Sequence, residues 1–389
     1  MIIPYGKQDI TKKDIEAVVK VLRSSFLTQG PSVPAFEQKL CEYTSAKYAV
    51  AVNSCTSALH LSCLALGLGV GDILWTSPIT FVASANCALY CGATVDFVDI
   101  EPDTALISIE KLKAKLEYAE KKRKLPKIVI PVHFSGQPCN MKEIHALSQK
   151  YGFKIIEDAA HAIGSKYQDE PIGNCRYSDI VVFSFHPVKI ITTGEGGVAM
   201  TNNSLYAEKM ELLRSHGVTR DPEKMHDNPD GDWYYEQIDL GFNYRMTDIQ
   251  ATLGSSQLDR IDQYVLRRTE IAKRYDAQLD SMDIEPLVQL SDRDSAHHLY
   301  VVMVRGGRHE RNKIYNSLRE KGIGVSLHYM PVYNQPYYKK KNDINKLVVA
   351  EDYFNKTISL PIFPGLSRND FNYIVNQLSF LLNYNTPTI

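Results

Sequence analysis

Short apolar runs alternate with amphipathic stretches along much of the chain. The runs are rich in β-branched and aromatic residues, as buried strands are, whereas the stretches between them repeat apolar residues at helical spacing. The predicted strands are 46–54, 93–100, 127–134, 153–160 and 179–186, and the predicted helices are 56–68, 109–124 and 141–152. This alternation predicts an α/β fold whose central sheet is largely parallel, with helices on both faces.

A helix is also predicted at residues 11–24, because Thr11 and Asp14 have the spacing of a capping box. Its apolar residues fall on one face of that helix. That face comprises Ile15, Val18, Val19 and Leu22.

The composition of the chain shifts at segment 218–237, which is polar and contains two prolines. This composition is typical of an exposed excursion from the fold. Residues 247–279 then predict long helical structure behind a Thr247/Gln250 capping box. The last part mixes strands such as 299–304 with helices. We therefore predict two domains, a large cofactor-binding domain at 1–255 and a small C-terminal domain at 256–389.

Composition and charge narrow the possible functions. The 389 residues carry 44 Lys and Arg against 45 Asp and Glu, so the chain has no broad basic field for nucleic acid. No apolar stretch reaches the roughly 18–20 residues that span a bilayer, and the N-terminus lacks the pattern of a signal peptide. We expect a cytoplasmic protein that binds neither nucleic acid nor membranes.

The seven cysteines include no CxxC pair. Cys87 and Cys91 stand four residues apart, but no second pair of ligands accompanies them, so we expect no metal site. The cysteines are better explained as small reduced side chains of a cytoplasmic protein.

Lys189 is the first candidate for chemistry. It follows the predicted strand 179–186 and a proline, and its neighbours are Ile190 and Ile191. Apolar surroundings favour the neutral, nucleophilic amine that Schiff-base formation needs. The glycine-rich stretch 194–197 would let backbone approach a bound group closely. A surface lysine beside a strand is the alternative explanation.

Asp158 lies at the carboxyl end of the predicted strand 153–160, where ligands of such sheets gather. A pyridoxal ring needs a carboxylate against its ring nitrogen, because the protonated ring is the electron sink of that cofactor. The alternative is a strand-end aspartate that accepts turn amides. His161 either stacks near such a ring or has a structural role.

Three further sites fit a phosphate-bearing aromatic cofactor. Thr56 and Ser57 open a helix, whose free amides bind phosphate, although plain helix capping explains them equally. Phe81 either lies across a flat ring or belongs to the core. Asn243 and Arg245 precede the helix at 247, where Arg245 contacts phosphate or forms an ordinary ion pair.

The fingerprints of other enzyme classes do not occur in the sequence. HExxH, a Walker loop, GxSxG and GxGxxG are all missing. The sequence therefore offers no support for a zinc hydrolase, a P-loop NTPase, a serine hydrolase or a Rossmann oxidoreductase.

Five blocks of sequence, in this order, resemble the signature blocks of the DegT/StrS nucleotide-sugar aminotransferases. They are NSCTSAL, TFVASAN, EDAAHAIGS, FSFHPVKIITTGEGG and GFNYRMTDIQATLG. The resemblance covers essentially the whole chain. It implies the fold-type-I architecture of pyridoxal-phosphate enzymes, with a large domain around a mostly parallel sheet and a smaller C-terminal α+β domain.

The resemblance also implies roles for particular residues toward the cofactor. Lys189 would carry pyridoxal 5′-phosphate as a Schiff base and then move the proton, and Asp158 would pair with the ring nitrogen. His161, the third catalytic residue, would hold the ring together with Phe81. The phosphate would be bound by Thr56, Ser57 and Ser184, with Asn243 reaching over from a second subunit.

On the substrate side, the resemblance implies a pocket for a nucleotide sugar in a homodimer with shared active sites. Cys55 stands where such proteins often have alanine, and both are small. The implied lining is Tyr5, Ser25, Phe26, Leu27, Thr28, Cys55, Ser184, Asn243, Ser326, Leu327, His328 and Tyr329.

Within the family, RSSFLTQGPSVPAFE, EDAAHAIGS and SLHYMPVY are most similar to one branch. That branch transfers an amino group from glutamate to a UDP-linked 4-keto-6-deoxy-N-acetylhexosamine, giving UDP-4-amino-4,6-dideoxy-N-acetyl-β-L-altrosamine for pseudaminic acid. The alternatives are an enzyme for another 4-keto sugar, such as the one that forms UDP-4-amino-arabinose, and a non-catalytic regulator. A dehydratase of this family works without the lysine, so Lys189 argues against that activity.

Overall fold

The computed structural model describes residues 2–340 and 347–383. Its helices are α1 Lys12–Leu22, α2 Ser32–Thr44, α3 Cys55–Ala65, α4 Ala83–Tyr90, α5 Ile109–Lys122, α6 Met141–Tyr151, α7 Ser204–Arg214, α8 Asp248–Leu258, α9 Ile261–Leu279, α10 Gly307–Glu320, α11 Pro336–Lys339, α12 Val348–Lys356 and α13 Arg368–Asn383. Its strands are β1 Tyr48–Val52, β2 Ile73–Thr76, β3 Thr94–Phe97, β4 Ile128–Ile130, β5 Lys154–Asp158, β6 Lys166–Tyr167, β7 Glu170–Pro171, β8 Ile180–Ser184, β9 Gly197–Thr201, β10 Val218–Thr219, β11 Glu236–Gln237, β12 Ile284–Pro286, β13 Arg293–Asp294, β14 Tyr300–Val304 and β15 Thr357–Leu360.

The central sheet has seven strands in the order β1-β9-β8-β5-β4-β2-β3. Strands β8, β5, β4, β2 and β3 pair in parallel, whereas β9 is antiparallel to both of its neighbours. The largely parallel sheet predicted from the sequence is therefore confirmed. Strand β9 is the exception because only residues 185–196 connect it to β8, and a parallel pair needs a crossover that usually contains a helix.

Alternation along the strands produces a core on each face of the sheet. In β5, for example, Ile155 faces one core and Ile156 faces the other. The first core packs α2, α5 and α6 against the sheet, and the second packs α3, α4 and α7. Helices on both faces, as predicted, leave the carboxyl ends of the parallel strands open for a ligand site.

A third core lies in the C-terminal part, where β12, β14 and β15 form an antiparallel sheet packed by α9, α10 and α13. Ile3 also belongs to this core, and it pairs with Ile323 across an isolated bridge. The predicted boundary between 255 and 256 falls inside α8 and stays a prediction; 341–346 and 384–389 of the predicted small domain lie outside the described residues.

The apolar face predicted for α1 is not the buried one. Ile15 and Leu22 are exposed, while Asp14 and Val21 are buried. The reason is a polar contact, because the Asp14 carboxylate receives hydrogen bonds from Ser256, Gln257 and Arg260. The capping box at Thr11 and Asp14 is present as predicted.

The helical stretch predicted at 247–279 forms two helices, α8 and α9, which are separated at residues 259–260. Its Thr247/Gln250 capping box is confirmed. In the excursion 218–237, β10 and β11 form a short antiparallel pair. Among the residues described, no helix is both long and apolar enough to cross a membrane.

Candidate active site

A cleft of about 850 Å³ opens at the carboxyl ends of β1, β5 and β8. The start of α3 and the approach to α4 form two of its walls. Residues near the N-terminus and around position 328 close another side. Of the residues predicted for the site, the cleft brings together Tyr5, Cys55, Thr56, Ser57, Phe81, Asp158, His161, Ser184, Lys189, His328 and Tyr329.

The start of α3 is suited to bind a phosphate. Ser54 is the N-cap, and its hydroxyl oxygen accepts a hydrogen bond from the Ser57 amide at 3.1 Å. Thr56 is therefore not needed as the cap. The amides of Cys55 and Thr56 precede the first hydrogen bond within the helix, so they point toward an anion at its positive end. Ser184, at the end of β8, lines the same cleft.

Glycine 197 explains how that helix start comes so close to the sheet. A Cβ at this position would lie 2.5 Å from the Cys55 amide nitrogen and 2.6 Å from the Ser54 carbonyl carbon. The sequence had suggested that the glycine run lets backbone approach a bound group. At Gly197, the neighbour that it admits is the backbone of α3.

Lys189 lies on the connection between β8 and β9. Hydrogen bonds from Lys189 N to His186 O and from Thr193 N to Phe185 O, at 2.9 and 3.0 Å, hold this connection. Burial lowers the pKa of the Lys189 amine to about 8, against a partial opposing effect of Cys55 and Asp158. A neutral, nucleophilic amine is therefore accessible near neutral pH.

Asp158 ends β5 with its carboxylate buried in the cleft wall. Its Oδ1 accepts a hydrogen bond from Ala160 N at 3.1 Å, and its Oδ2 accepts one from Ser84 Oγ at 2.5 Å. Glu157, the preceding residue, projects to the other side of the strand, where it contacts His133 at 2.6 Å. Since the Cys139 amide donates to His133 Nδ1, the proton of that ring lies on Nε2, toward Glu157.

Aromatic side chains line the same cleft as Lys189 and Asp158. Tyr329 stacks on His161 with an interplanar angle of 22° and a hydroxyl-to-Nε2 distance of 3.3 Å. Burial and the charge of Lys189 keep the pKa of His161 well below its usual value, so this imidazole is neutral. Phe81 lines the cleft with 60% of its surface exposed, which makes it available to a flat ring rather than part of the core.

Other predicted residues are not brought into this cleft by the chain itself. The segment Ser25, Phe26, Leu27 and Thr28 lies beside Thr247 and Asp248, and Asn243 is exposed. Ser326 pairs with Ser359, and Leu327 packs against the C-terminal core. Arg245 pairs with Val52 through a backbone bridge outside the cleft lining.

Several lining residues were missed by the sequence reasoning. They are Asn53, Ser54, Leu59, Thr80, Ala83, Ser84, Val132, Ala160, His186, Val188, Glu195 and Gln250. Ser54 could have been predicted, because a serine just before a predicted helix start is a typical N-cap. Ser84 could not have been predicted from local sequence, because its partner Asp158 lies 74 residues away. In the part of the chain that the structure describes, no group of three or more His, Cys, Asp and Glu side chains is arranged to hold a metal.

The family model for the DegT/DnrJ/EryC1/StrS aminotransferases matches residues 8–379. The chain belongs to this family. Aminotransferases of the family use pyridoxal 5′-phosphate, and similar solved structures include pyridoxal-phosphate and PMP forms of one sugar aminotransferase. This member is accordingly an aminotransferase that acts on nucleotide sugars.

Two curated relatives illustrate the similarity. The spore coat polysaccharide biosynthesis protein SpsC of Bacillus subtilis is 38% identical over 383 residues, which cover 97% of this chain and 96% of the relative. The UDP-4-amino-4,6-dideoxy-N-acetyl-β-L-altrosamine transaminase of Campylobacter jejuni is 36% identical over 382 residues, covering 98% and 97%. Among solved structures, Helicobacter pylori PseC, an aminotransferase in pseudaminic acid biosynthesis, has a TM-score of 0.90 and 32% identity, covering 99% of this chain and 100% of its own.

The residues of the cleft fit the cofactor of the family. The start of α3 offers amides to a phosphate, and Asp158 offers a carboxylate to a ring nitrogen. His161 Nδ1 is buried without a hydrogen-bond partner among the described residues, so the cleft wall retains an unused polar atom. The fold class expected from the resemblance is likewise confirmed by these aminotransferase structures.

Proposed function

We propose that this family member aminates a UDP-linked 4-keto-6-deoxy-N-acetylhexosamine, with L-glutamate as the amino donor. The product would be UDP-4-amino-4,6-dideoxy-N-acetyl-β-L-altrosamine, a precursor of pseudaminic acid. The reaction type is supported by one observation above all: a buried lysine amine, with its pKa lowered to about 8, lines the same cleft as the buried Asp158 carboxylate. The choice of sugar is supported by the names of the Campylobacter and Helicobacter proteins.

In this proposal Lys189 carries the cofactor covalently, and its Nζ later holds the proton that moves during transfer. The cofactor supplies an electron sink for that proton transfer. Asp158 receives the ring nitrogen, while Phe81 and His161 hold the two faces of the ring. Because burial keeps His161 neutral, it adds no positive charge beside the lysine.

Phosphate binding is proposed for Thr56, Ser57 and Ser184, whose hydroxyls lie around the start of α3 and the end of β8. Tyr5, Cys55, His328 and Tyr329 would face the sugar nucleotide. Ser326 and Leu327 would then support this wall from behind, since they lie outside the cleft lining. The nucleotide, which is remote from the reacting carbon, would supply binding energy that positions the keto group.

We further propose a homodimer in which Asn243 and the segment 25–28 complete the site of the partner subunit. This proposal is supported by their absence from the cleft of their own chain and by the exposure of Phe26, Leu27 and Leu240. Exposed apolar side chains that are contiguous mark an interaction surface, and Phe26 and Leu27 are adjacent in the chain.

The substrate is tested by incubating the purified protein with pyridoxal 5′-phosphate, L-glutamate and a panel of 4-keto nucleotide sugars, and measuring 2-oxoglutarate. The UDP-N-acetylhexosamine substrate should give the highest kcat/KM. The panel includes UDP-4-keto-arabinose and other 4-keto sugars, because SpsC is as similar to this chain as the Campylobacter enzyme is. Preference for another sugar would reject the proposed substrate and keep the reaction type.

The role of Lys189 is tested by borohydride reduction followed by mass spectrometry of peptides. We expect the adduct on Lys189, and we expect Lys189→Ala to lose roughly a thousandfold or more of its activity. Circular dichroism of the variant checks that the fold is intact. An adduct on another lysine would refute the assignment.

A further inference from the structure

Ser84 is a fully buried serine in the first turn of α4, and its hydroxyl group is hydrogen-bonded to two polar side chains. Its hydroxyl oxygen lies 2.5 Å from Asp158 Oδ2 and 2.8 Å from Thr80 Oγ1. Thr80 and Asp158 are buried as well. The three side chains thus form a short hydrogen-bonded row from the approach to α4 to the cleft carboxylate.

The direction of these hydrogen bonds follows from the chemistry of a carboxylate. An ionised carboxylate only accepts, so Ser84 donates its single proton to Asp158. The Phe81 carbonyl oxygen, at 3.4 Å from the Ser84 hydroxyl oxygen, is too far away to compete with Asp158 for this proton. Because the proton of Ser84 is committed, Thr80 must be the donor to Ser84.

Two contacts therefore fix the orientation of the Asp158 carboxyl group. The Ala160 amide holds Oδ1 from the turn after β5, and Ser84 holds Oδ2 from a different element. Among the ion pairs of the described residues, none involves Asp158. Each carboxylate oxygen can accept more than one hydrogen bond, so Asp158 can accept a further one from a donor in the cleft.

Helix α4 also connects this row to the ring-facing wall. Phe81 directly follows Thr80 and lines the cleft three residues before Ser84. One short segment therefore presents an aromatic face to the cleft and, at the same time, holds the carboxylate that faces the ring nitrogen in our proposal. Displacement of this segment would move both groups together.

We propose that Ser84 is a positioning residue that holds the Asp158 carboxylate in line with the ring nitrogen of the cofactor, with Thr80 supporting it. This inference rests on the role proposed above for Asp158. Ser84 itself does not contact the reacting atoms. Its removal should weaken the contact between Asp158 and the ring nitrogen and leave the phosphate contacts unchanged.

The experiment compares the dissociation constants of pyridoxal 5′-phosphate and of 1-deazapyridoxal 5′-phosphate, whose ring carries a CH in place of the nitrogen. Their ratio isolates the nitrogen contact, since the phosphate and the aldehyde are the same in both. We expect Ser84→Ala to reduce the preference for the natural cofactor about tenfold, the size of a lost hydrogen bond to a charged group. Thr80→Val should reduce it less.

Ser62→Ala is the matched control, because Ser62 is an equally buried serine that donates to the Ala58 carbonyl of its own helix at 2.7 Å. It should leave the ratio unchanged. If Ser84→Ala weakens both cofactors equally, its role is structural and the inference is wrong. Asp158→Asn distinguishes this failure from a failure of the proposed function. If Asp158→Asn leaves the ratio unchanged, Asp158 does not contact the ring nitrogen, and the proposed role of Asp158 is itself wrong.

Discussion

Lys189 has an amine that is unusually easy to deprotonate, and the cause is burial rather than a neighbouring cation. Burial disfavours the charged ammonium, so the pKa falls from 10.5 to about 8. At a given pH below 10, more of the amine is neutral than in an exposed lysine. The structural property on which the proposed attachment depends is therefore local solvation.

This pKa predicts how cofactor loading depends on pH. The rate at which the apoprotein combines with pyridoxal 5′-phosphate should rise about tenfold per pH unit below pH 8 and level off above it, following the neutral amine. Stopped-flow absorbance at a series of pH values measures this rate, with Lys189→Ala as the blank. A midpoint near that of a free lysine would mean that the amine is not desolvated.

Among the elements, β9 and the start of α3 pack so closely that no Cβ fits between them at Gly197. A Cβ at Gly197 would overlap backbone atoms of Ser54 and Cys55, which cannot move aside as a flexible side chain does. Gly197→Ala should displace the start of α3 and weaken pyridoxal 5′-phosphate binding about tenfold or more, at a stability cost of about 1–3 kcal/mol.

Pyridoxal, which lacks the phosphate, provides the comparison for that variant. Its affinity should fall less than that of the phosphorylated cofactor when both are measured by fluorescence titration. Gly69→Ala is the control, because a Cβ at Gly69 meets no atom within 4 Å. Equal losses for both ligands would place the phosphate away from the start of α3.

The elements also show what local patterns could predict. The apolar runs located β1, β3, β5 and β8 within a few residues, because buried strands are continuous in sequence. Strand β4 is shorter than its predicted run, since it ends before Pro131, which has no amide to donate. The apolar residues of α1 do not mark its buried side, because the buried Asp14 accepts hydrogen bonds from two residues of α8, Ser256 and Gln257, and from Arg260, which follows that helix.

The candidate site was predictable to the extent that its residues stand at strand ends or helix starts. Asp158 and Thr56 satisfy that condition, Lys189 follows five residues after the end of β8, and all three line one cleft. Ser84 also stands at a helix start, but its partner Asp158 lies 74 residues away, so the local pattern does not reveal their contact. The chemical roles assigned to these residues came from the resemblance of whole blocks of sequence to a known family, whereas physical chemistry indicated only where the residues lie.

At the scale of the whole molecule, the proposed homodimer predicts complementation between two inactive variants. Co-expressed Lys189→Ala and Asn243→Ala chains would form hybrid dimers that contain one intact site, if Asn243 acts across the interface. A randomly mixed population should recover about a quarter of wild-type activity, because half of the dimers are hybrids with one working site of two.

Each variant alone, assayed for 2-oxoglutarate at the same protein concentration, provides the baseline. If Asn243 served its own chain, every site in a hybrid would carry one defect and no activity would return. Sedimentation analysis of the mixture verifies that the variants still associate, so a lack of recovery cannot be attributed to monomers.

The connection between β8 and β9 also bears on how the site is assembled as the chain folds. Its hydrogen bonds close short loops of about a dozen residues or fewer, at a small cost in chain entropy, whereas the partners of Asp158 and the start of α3 must be brought from far along the chain. Before the chain is folded, the Lys189 amine is in water and keeps the pKa of an ordinary lysine, so its lowered pKa is a property of the assembled site.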